Sequence, residues 1–203
     1  MKLCILLMLA CLAFSLQLYS QNNYSPGYIV TINDDTIYVE IKNAMNGDMH
    51  QKVEYIDRLG NKNVLTPASV KMYKINNDYY YNKISPTYKN NYFFKLKIDG
   101  IIKVYEYTSP RENIQDAIIR TSTMNYAMGT SMPVSVSNQN TLTFVEKGDF
   151  FKTVESMRFK KLMKVLINDD PELMQKVLDK TYEVSELFIV IRKYNENYKK
   201  RNP

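Results

Sequence analysis

Hydrophobic and polar residues alternate over most of residues 28–107, and this alternation predicts antiparallel β-strands joined by short turns. Residues 28–32 and 36–42 flank the turn sequence Asn33-Asp34-Asp35, which predicts a first hairpin. The same pattern predicts further hairpins over residues 52–65, 70–84 and 92–107. A last strand is predicted from Thr141 to Glu146.

The fourth hairpin has the strongest turn signal, the dipeptide Asp99-Gly100. Asp-Gly favours a two-residue type I′ turn because both residues tolerate positive φ. Alternation places Val104 on one face of the following strand and Tyr105 and Tyr107 on the other. If Val104 is buried, we therefore expect these two tyrosines to be at least partly exposed.

From Phe150 onward the apolar residues recur every three or four positions, which predicts about three short helices. Asp170 is expected to cap the second helix, with Pro171 in its first turn and Glu172 near the positive end of the helix dipole. We expect an apolar stripe on the last two helices to pack into one core. The stripe consists of Leu173, Val177, Leu187, Phe188 and Ile191.

Together these patterns predict an α+β fold. Residues 21–150 form an antiparallel β-rich module with an irregular segment at 108–140, and residues 151–203 form a helical segment packed on it. The pattern leaves a sandwich, an open barrel and a twisted sheet as alternatives for the module. The chain of 203 residues is long enough to bury a core without a disulfide or a metal.

The first twenty residues have the pattern of an export signal. Lys2 precedes an apolar run over residues 3–16, and a small residue then precedes a polar start. We expect an exported protein, in the periplasm, on the outer surface or secreted. Lipid attachment at Cys11 is the alternative, but it would leave the apolar Leu12-Ala13-Phe14 where a polar tether is expected. A retained transmembrane span would need roughly 20 apolar residues, and no later segment has them.

Short motifs stand near both ends of the expected mature chain. They are Gly27-Tyr28-Ile29-Val30, Asp35-Thr36-Ile37, Asp170-Pro171-Glu172-Leu173 and Tyr194-Asn195. They resemble motifs of a loose group of exported proteins of Bacteroidota-type bacteria, in which a GYIVT…GDTI.G.I hairpin opens the mature chain and a helical D.PEL…I…YN segment closes it. This chain departs from the pattern at Asp34 and at Val39, where glycine is frequent. The resemblance implies export and fold, and it implies no catalytic residue.

Composition narrows the chemistry that the exported chain can perform. The two cysteines, Cys4 and Cys11, lie in the expected signal, and His50 is the only histidine. Disulfide scaffolds, thiolate zinc sites, cysteine nucleophiles and paired-histidine metal sites are therefore not expected. His50 lies in a polar stretch, where an ordinary surface residue is expected. The sequence contains no nucleophile-elbow or phosphate-loop motif.

A carboxylate-dependent extracytoplasmic hydrolase is the alternative function. It would need two acids roughly 5–10 Å apart in a cleft, and Glu40, Glu54 and Glu106 lie on predicted strands. Methionines recur every four residues between Met124 and Met132, a spacing at which thioethers suit Cu(I). Methionine is also a common filler of cores, so we expect neither a metal nor a cofactor.

Tyrosine is the largest compositional signal, with 17 residues and no tryptophan. We expect a non-enzymatic binding or envelope structural protein whose partner is an envelope protein or a glycan, and we expect no nucleic acid. Its candidate surface is bordered by residues 121–140 and combines aromatic rings with one lysine. The residues of this surface are Tyr79, Tyr81, Tyr92, Lys103, Tyr105 and Tyr107.

The chain has a formal net charge of +6, and its basic residues cluster in the helical part. One cluster consists of Arg158, Lys160, Lys161 and Lys164, and another of Lys199-Lys200-Arg201. Such clusters suit anionic lipid or polysaccharide. The alternative is a solvated helix face and a frayed end.

Overall fold

The computed structural model describes residues 23–44, 48–108 and 141–202. The expected signal at 1–20 and nearly all of the irregular segment at 108–140, with Met124, Met128 and Met132, lie outside the described residues. The predictions made for those parts stay predictions.

The described chain has ten β-strands followed by three α-helices, which confirms the α+β class. The strands are β1 (Tyr24–Thr31), β2 (Thr36–Lys42), β3 (Val53–Ile56), β4 (Lys62–Leu65), β5 (Val70–Ile75), β6 (Asp78–Ile84), β7 (Asn91–Ile98), β8 (Lys103–Thr108), β9 (Thr141–Lys147) and β10 (Phe150–Thr153). The helices are α1 (Phe159–Leu166), α2 (Pro171–Leu178) and α3 (Leu187–Arg201). Short 3₁₀ turns lie at Asp48–His50, Pro67–Ser69, Ser156–Arg158 and Val184–Glu186.

All ten strands form a single open antiparallel sheet in the order β10-β9-β8-β7-β6-β5-β1-β2-β3-β4. Of the three architectures that the sequence left open, the structure therefore selects one sheet. Two meanders build it, β1–β4 and β5–β10, and they join where β1 pairs with β5. The predicted first hairpin is confirmed, and Asp34 takes the positive φ of 70° that its turn requires.

Strand β7 separates two cores on opposite faces of the sheet. Phe93 and Phe94 are adjacent and both fully buried, and successive strand residues point to opposite faces. Phe93 packs with Ile29, Ile41 and other buried residues of the β1–β6 half. Phe94 packs with aromatic residues of β8 and β9, including Tyr105. The first half of the sheet therefore buries the face of Phe93, and the second half buries both faces, since Val104 and Val145 lie on the face opposite to Tyr105.

The three helices pack on the second half of the sheet, on the face that carries Val104 and Val145. The predicted helical stripe is confirmed as one core, in which Val177 and Ile191 are fully buried. Phe188 lies at its border and is only half-buried, so truncating it costs less than the loss of a fully buried ring. Asp170 caps α2 as predicted, because its carboxylate accepts the backbone N–H of Leu173 at 3.1 Å.

The predicted two-residue turn at Asp99-Gly100 is wrong. Strand β7 ends at Ile98 and β8 begins only at Lys103, so the loop extends to Ile102. Ile102 is fully buried in the helical core, and the side-chain amide of Asn195 on α3 bonds its backbone N–H at 2.9 Å and its C=O at 2.8 Å. These contacts with a distant helix stabilise a wider loop than the local dipeptide favours.

The helical period predicted from Phe150 is also wrong over its first residues. Phe150–Thr153 is a strand, because Gly148 at a φ of 56° turns the chain back so that β10 pairs with β9. The first helix begins at Phe159, after the 3₁₀ turn. Strand β10 is thus an edge of the sheet, adjacent to α1 along the chain.

Candidate ligand-binding cleft

A cavity of about 510 Å³ lies at the β10 edge of the sheet, and we call it the basic cleft. Its walls come from β10, from the turn and helix α1 that follow, and from the loop between β6 and β7. A volume of this size is within the range of roughly 300–1,000 Å³ typical of small-molecule sites. The lining residues are Pro86, Thr87, Phe150, Lys152, Thr153, Glu155, Arg158, Lys161, Leu162 and Val165.

Basic side chains outnumber acidic ones in this cleft. Lys152, Arg158 and Lys161 are its cations, and Glu155 is its only carboxylate. Within the described part of the chain, Lys152 and Lys161 make no ion pair. Arg158 Nε lies 3.5 Å from Glu155 Oε2, but both side chains are largely exposed, and such a pair contributes only about 0–1 kcal/mol. The cleft therefore presents positive charge that nearby carboxylates do not neutralise.

The remaining part of the lining includes apolar side chains. Phe150 is half-buried and packs against the helical core, and Leu162 is buried within that core. Val165 is 52% exposed on α1. A cleft with this lining can contact an apolar group and an anionic group of one ligand at the same time.

The local sequence explains why charge and apolar surface meet here. Helix α1 buries Phe159, Leu162 and Met163 on one side, and its lysines project on the other. Lys161 and Val165 line the cleft from this helix. The predicted basic cluster is thus divided, since Arg158 and Lys161 line the cleft whereas Lys160 and Lys164 do not.

Threonine hydroxyl groups join the β6–β7 loop to β10 at this cleft. Thr87 Oγ1 lies 3.0 Å from Thr153 Oγ1, although the two residues are far apart in sequence. Ser85 supports the same loop, because its hydroxyl oxygen accepts the backbone N–H groups of Thr87 and Tyr88. Hydrogen bonds within the loop and one hydrogen bond to the edge strand β10 therefore fix the loop that forms this wall.

The six residues of the predicted tyrosine surface share one face of the sheet. Strand pairing places Tyr81 opposite Phe94 and Tyr105 opposite Leu96 on that face. Ring centroids are 6.0 Å apart for Tyr81 and Tyr105, and 5.0 Å apart for Tyr92 and Tyr107. Tyr79, Tyr81, Tyr92 and Lys103 are half-buried.

The expected exposure of Tyr105 and Tyr107 is wrong, because they are only 1% and 3% exposed. They belong to an aromatic core with Phe94 and Phe144, and Phe151 of β10 packs against it. Alternation assigns these residues to the correct face, but neighbouring aromatic rings on that face bury them. A partner surface centred on these two rings therefore lacks the accessibility that it requires.

An ion pair lies inside this aromatic cluster. Lys83 Nζ is 2.8 Å from Glu146 Oε2 and lies 5.1 Å from the ring centre of Tyr105. Burial, together with the hydrogen bond to Glu146, raises the pKa of Tyr105 far above its ordinary value. Lys83 donates a hydrogen bond to Glu146 Oε1 at 3.0 Å, whereas Glu146 Oε2 has no hydrogen-bond partner among the described residues. The pair therefore offsets the two charges without satisfying every polar atom.

His50, expected at the surface, is 5% exposed. Its imidazole bridges β7 and β8 at the end of their ladder, since Nδ1 contacts the carbonyl oxygen of Phe93 and Nε2 accepts the backbone N–H of Thr108 at 3.1 Å. Only the neutral ring with hydrogen on Nδ1 satisfies both partners. Burial, partly offset by the contact with Phe93, lowers the pKa of His50 below its ordinary value.

The acids proposed for a hydrolase lie on separate strands. Glu54 on β3 pairs with Lys42 at 2.8 Å, and Glu106 on β8 pairs with Lys97 at 3.2 Å. Glu40 lies on β2, which pairs with β3 but is separated from β8 by four strands. Among the described residues, no group of three or more His, Cys, Asp or Glu side chains could hold a metal ion.

Comparison with protein-family models, with curated protein sequences and with solved structures found no match to this chain. No helix in the described ranges is both long and apolar enough to cross a membrane.

Sequence analysis identified two cleft residues, Arg158 and Lys161, but not the others. The sequence does not indicate Lys152 as a cleft residue, because the pattern from Phe150 onward predicts a helix instead of an edge strand. Thr87 and Pro86 carry no local signal, because only the pairing of β9 with β10 brings the edge strand beside their loop. The full site depends on contacts between distant parts of the chain.

Proposed function

We propose that this protein is an exported, non-catalytic binding protein and that it holds an anionic ligand in the basic cleft. The observation that carries the proposal is the convergence of Lys152, Arg158 and Lys161 on one cavity with a single carboxylate, Glu155. An anion entering this cleft would gain favourable interactions with side chains that have no strong internal partner.

The proposal of binding rather than catalysis is supported by the surroundings of the ionisable groups. His50 is buried between two strands, and its pKa is lowered. Both of its hydrogen-bond partners are backbone groups, of Phe93 and Thr108, and neither is a nucleophilic side chain. Glu54 and Glu106 are neutralised by lysines on neighbouring strands. Export is proposed from the N-terminal pattern of Lys2 followed by the apolar run at 3–16.

Isothermal titration calorimetry with three anionic probes tests the proposal. The probes are octanoate, pyrophosphate and a sulfated disaccharide, which represent an amphiphile, a compact polyanion and a glycan. We expect at least one to bind, and more weakly at about 150 mM salt, where charges are screened beyond about 8 Å. Lys161→Gln should weaken that binding about fivefold, the factor that corresponds to about 1 kcal/mol.

Lys200→Gln is the matched control, because it removes one exposed lysine from α3, outside the cleft. It should leave the affinity of every probe unchanged. The proposed function is wrong if none of the probes binds, or if the two variants weaken binding equally.

A further inference from the structure

We infer that the ligand of the basic cleft is an amphiphile, an acid group on an alkyl chain. This inference rests on the proposed function and specifies its ligand class. The acid group lies among Lys152, Arg158 and Lys161, and the alkyl chain lies along Phe150, Leu162 and Val165.

The apolar part of the cleft argues for an alkyl chain rather than a compact polyanion. Val165 keeps 52% of its surface exposed, although it lines the same cavity as three cations. Exposed apolar surface next to a cavity is a typical feature of ligand-binding grooves. A phosphate or a sulfate would contact the cations and leave this apolar surface in water.

The position of the cations indicates that the ligand carries its acid group at one end of its alkyl chain. Arg158 precedes α1 and Lys161 lies within its first turn, while Val165 lies one turn further along the same helix. Residues three and four apart share a helix face, so the wall changes from charged to apolar along its length. A ligand with an acid group at one end and methylene groups at the other matches this order.

The size of the cleft argues for a free molecule rather than a membrane. A cavity of about 510 Å³ is of the size that holds one small ligand. It also has walls on several sides, contributed by β10, α1 and the β6–β7 loop. A membrane would contact only the exposed apolar residues at the rim and would leave the walled cavity unoccupied.

A chain-length series tests this inference by calorimetry with the purified protein. Butyrate, hexanoate and octanoate carry the same acid group and differ only in methylene groups. We expect the affinity to rise about two- to fourfold for each added methylene, in line with the free energy of burying one such group. Octanol, which has the same chain length as octanoate and no charge, should bind at least tenfold more weakly than octanoate.

Two variants separate the alkyl contact from a general loss of stability. Val165→Asn should lower the affinity for octanoate at least threefold and leave that for butyrate unchanged. Leu178→Asn changes a residue of similar exposure, 48%, on α2 outside the cleft, and it should alter neither affinity. Equal effects of the two variants on octanoate binding would overturn the inference.

The remaining outcomes distinguish failure of the inference from failure of the proposed function. If pyrophosphate or the sulfated disaccharide binds with sensitivity to Lys161→Gln while the carboxylates show no chain-length dependence, the cleft binds anions and the amphiphile inference is wrong. If the protein instead sediments with phosphatidylglycerol vesicles in a Lys161-dependent way and ignores octanoate, the occupant is a membrane and the inference is also wrong. If no probe binds, both proposals fail.

Discussion

The side-chain amide of Asn195 bonds both backbone groups of Ile102, with its oxygen accepting the N–H and its nitrogen donating to the C=O. Asn195 is 6% exposed and Ile102 is fully buried, so water does not compete for these groups. One side chain of the last helix therefore completes the hydrogen bonding of the loop between β7 and β8, and connects the helical layer to the sheet.

Replacing Asn195 by leucine should destabilise the protein by about 2–4 kcal/mol, because two buried backbone groups lose their partners. Urea unfolding followed by circular dichroism measures this change. Glu196→Gln, at the exposed neighbouring position, is the control and should stay within about 0.5 kcal/mol of the parent protein. A loss below about 1 kcal/mol for the leucine variant would contradict the bridging role of Asn195.

Gly100→Ala should also be destabilising, for a steric reason. A Cβ atom at Gly100 would overlap the side-chain amide of Asn195, and the φ of Gly100 is not positive, so backbone strain does not contribute. The double variant with Asn195→Ala relieves the overlap. We expect it to be more stable than the sum of the two single changes predicts, by about 0.5–3 kcal/mol in a double-mutant cycle. Strict additivity would show that the two residues do not interact.

The sequence predicts correctly those elements that are stabilised by contacts between residues close together in the chain. Asp34 forms its turn and Asp170 its helix cap within a few residues, and both are confirmed. The loop at Asp99 is wider than the Asp-Gly dipeptide favours, because it is stabilised by a hydrogen bond to Asn195, which is far away in sequence. Strand β10 begins with the adjacent apolar residues Phe150 and Phe151 and so shows no alternation, and its pairing with β9 decides its conformation.

The candidate site was predictable only in part for the same reason. Alternation shows which side chains share a face, and it did so correctly for Tyr105 and Tyr107, but it does not show what covers that face. His50 lies in a polar stretch that carries no sign of burial. Its position is set by the gap between Phe93 and Thr108, which exists only once β7 and β8 have paired.

The stability of the protein should fall when the pH is lowered from about 7.5 to about 5.5, the interval in which an ordinary histidine gains its proton. The folded state lowers the pKa of His50, so between that pKa and the unfolded value of 6.5 the unfolded chain binds more protons. The contribution of His50 is thus complete above the unfolded pKa and is lost as pH falls through the folded pKa, with a slope of at most about 1.4 kcal/mol per pH unit.

Nuclear magnetic resonance checks this directly, because His50 is the only histidine in the chain. Its imidazole nitrogen shifts should report the Nδ1–H tautomer at neutral pH and a titration below 6.5. His50→Phe should be less stable at neutral pH and lose the pH dependence in this interval. A ring that titrates at or above 6.5 would rule out the buried neutral bridge.

Ile191→Ala should cost about 2–5 kcal/mol of unfolding free energy, because the side chain is fully buried between the helices and the sheet. Ile189, two positions earlier on the same helix, is 46% exposed. Ile189→Ala is therefore the matched control, and we expect a cost below about 1 kcal/mol. Similar midpoints of urea unfolding for the two variants would contradict the assignment of the buried face of α3.

Chemical-shift mapping of the ¹⁵N-labelled protein shows whether, and where, an anion binds in the basic cleft. Octanoate, pyrophosphate and the sulfated disaccharide are titrated in turn. We expect, for at least one probe, saturable shifts concentrated at Lys152, Thr153, Arg158 and Lys161, with the loop at Thr87 also affected. Saturable shifts that map instead to the tyrosine face around Tyr79 and Tyr92, or no shifts with any probe, would contradict binding in this cleft.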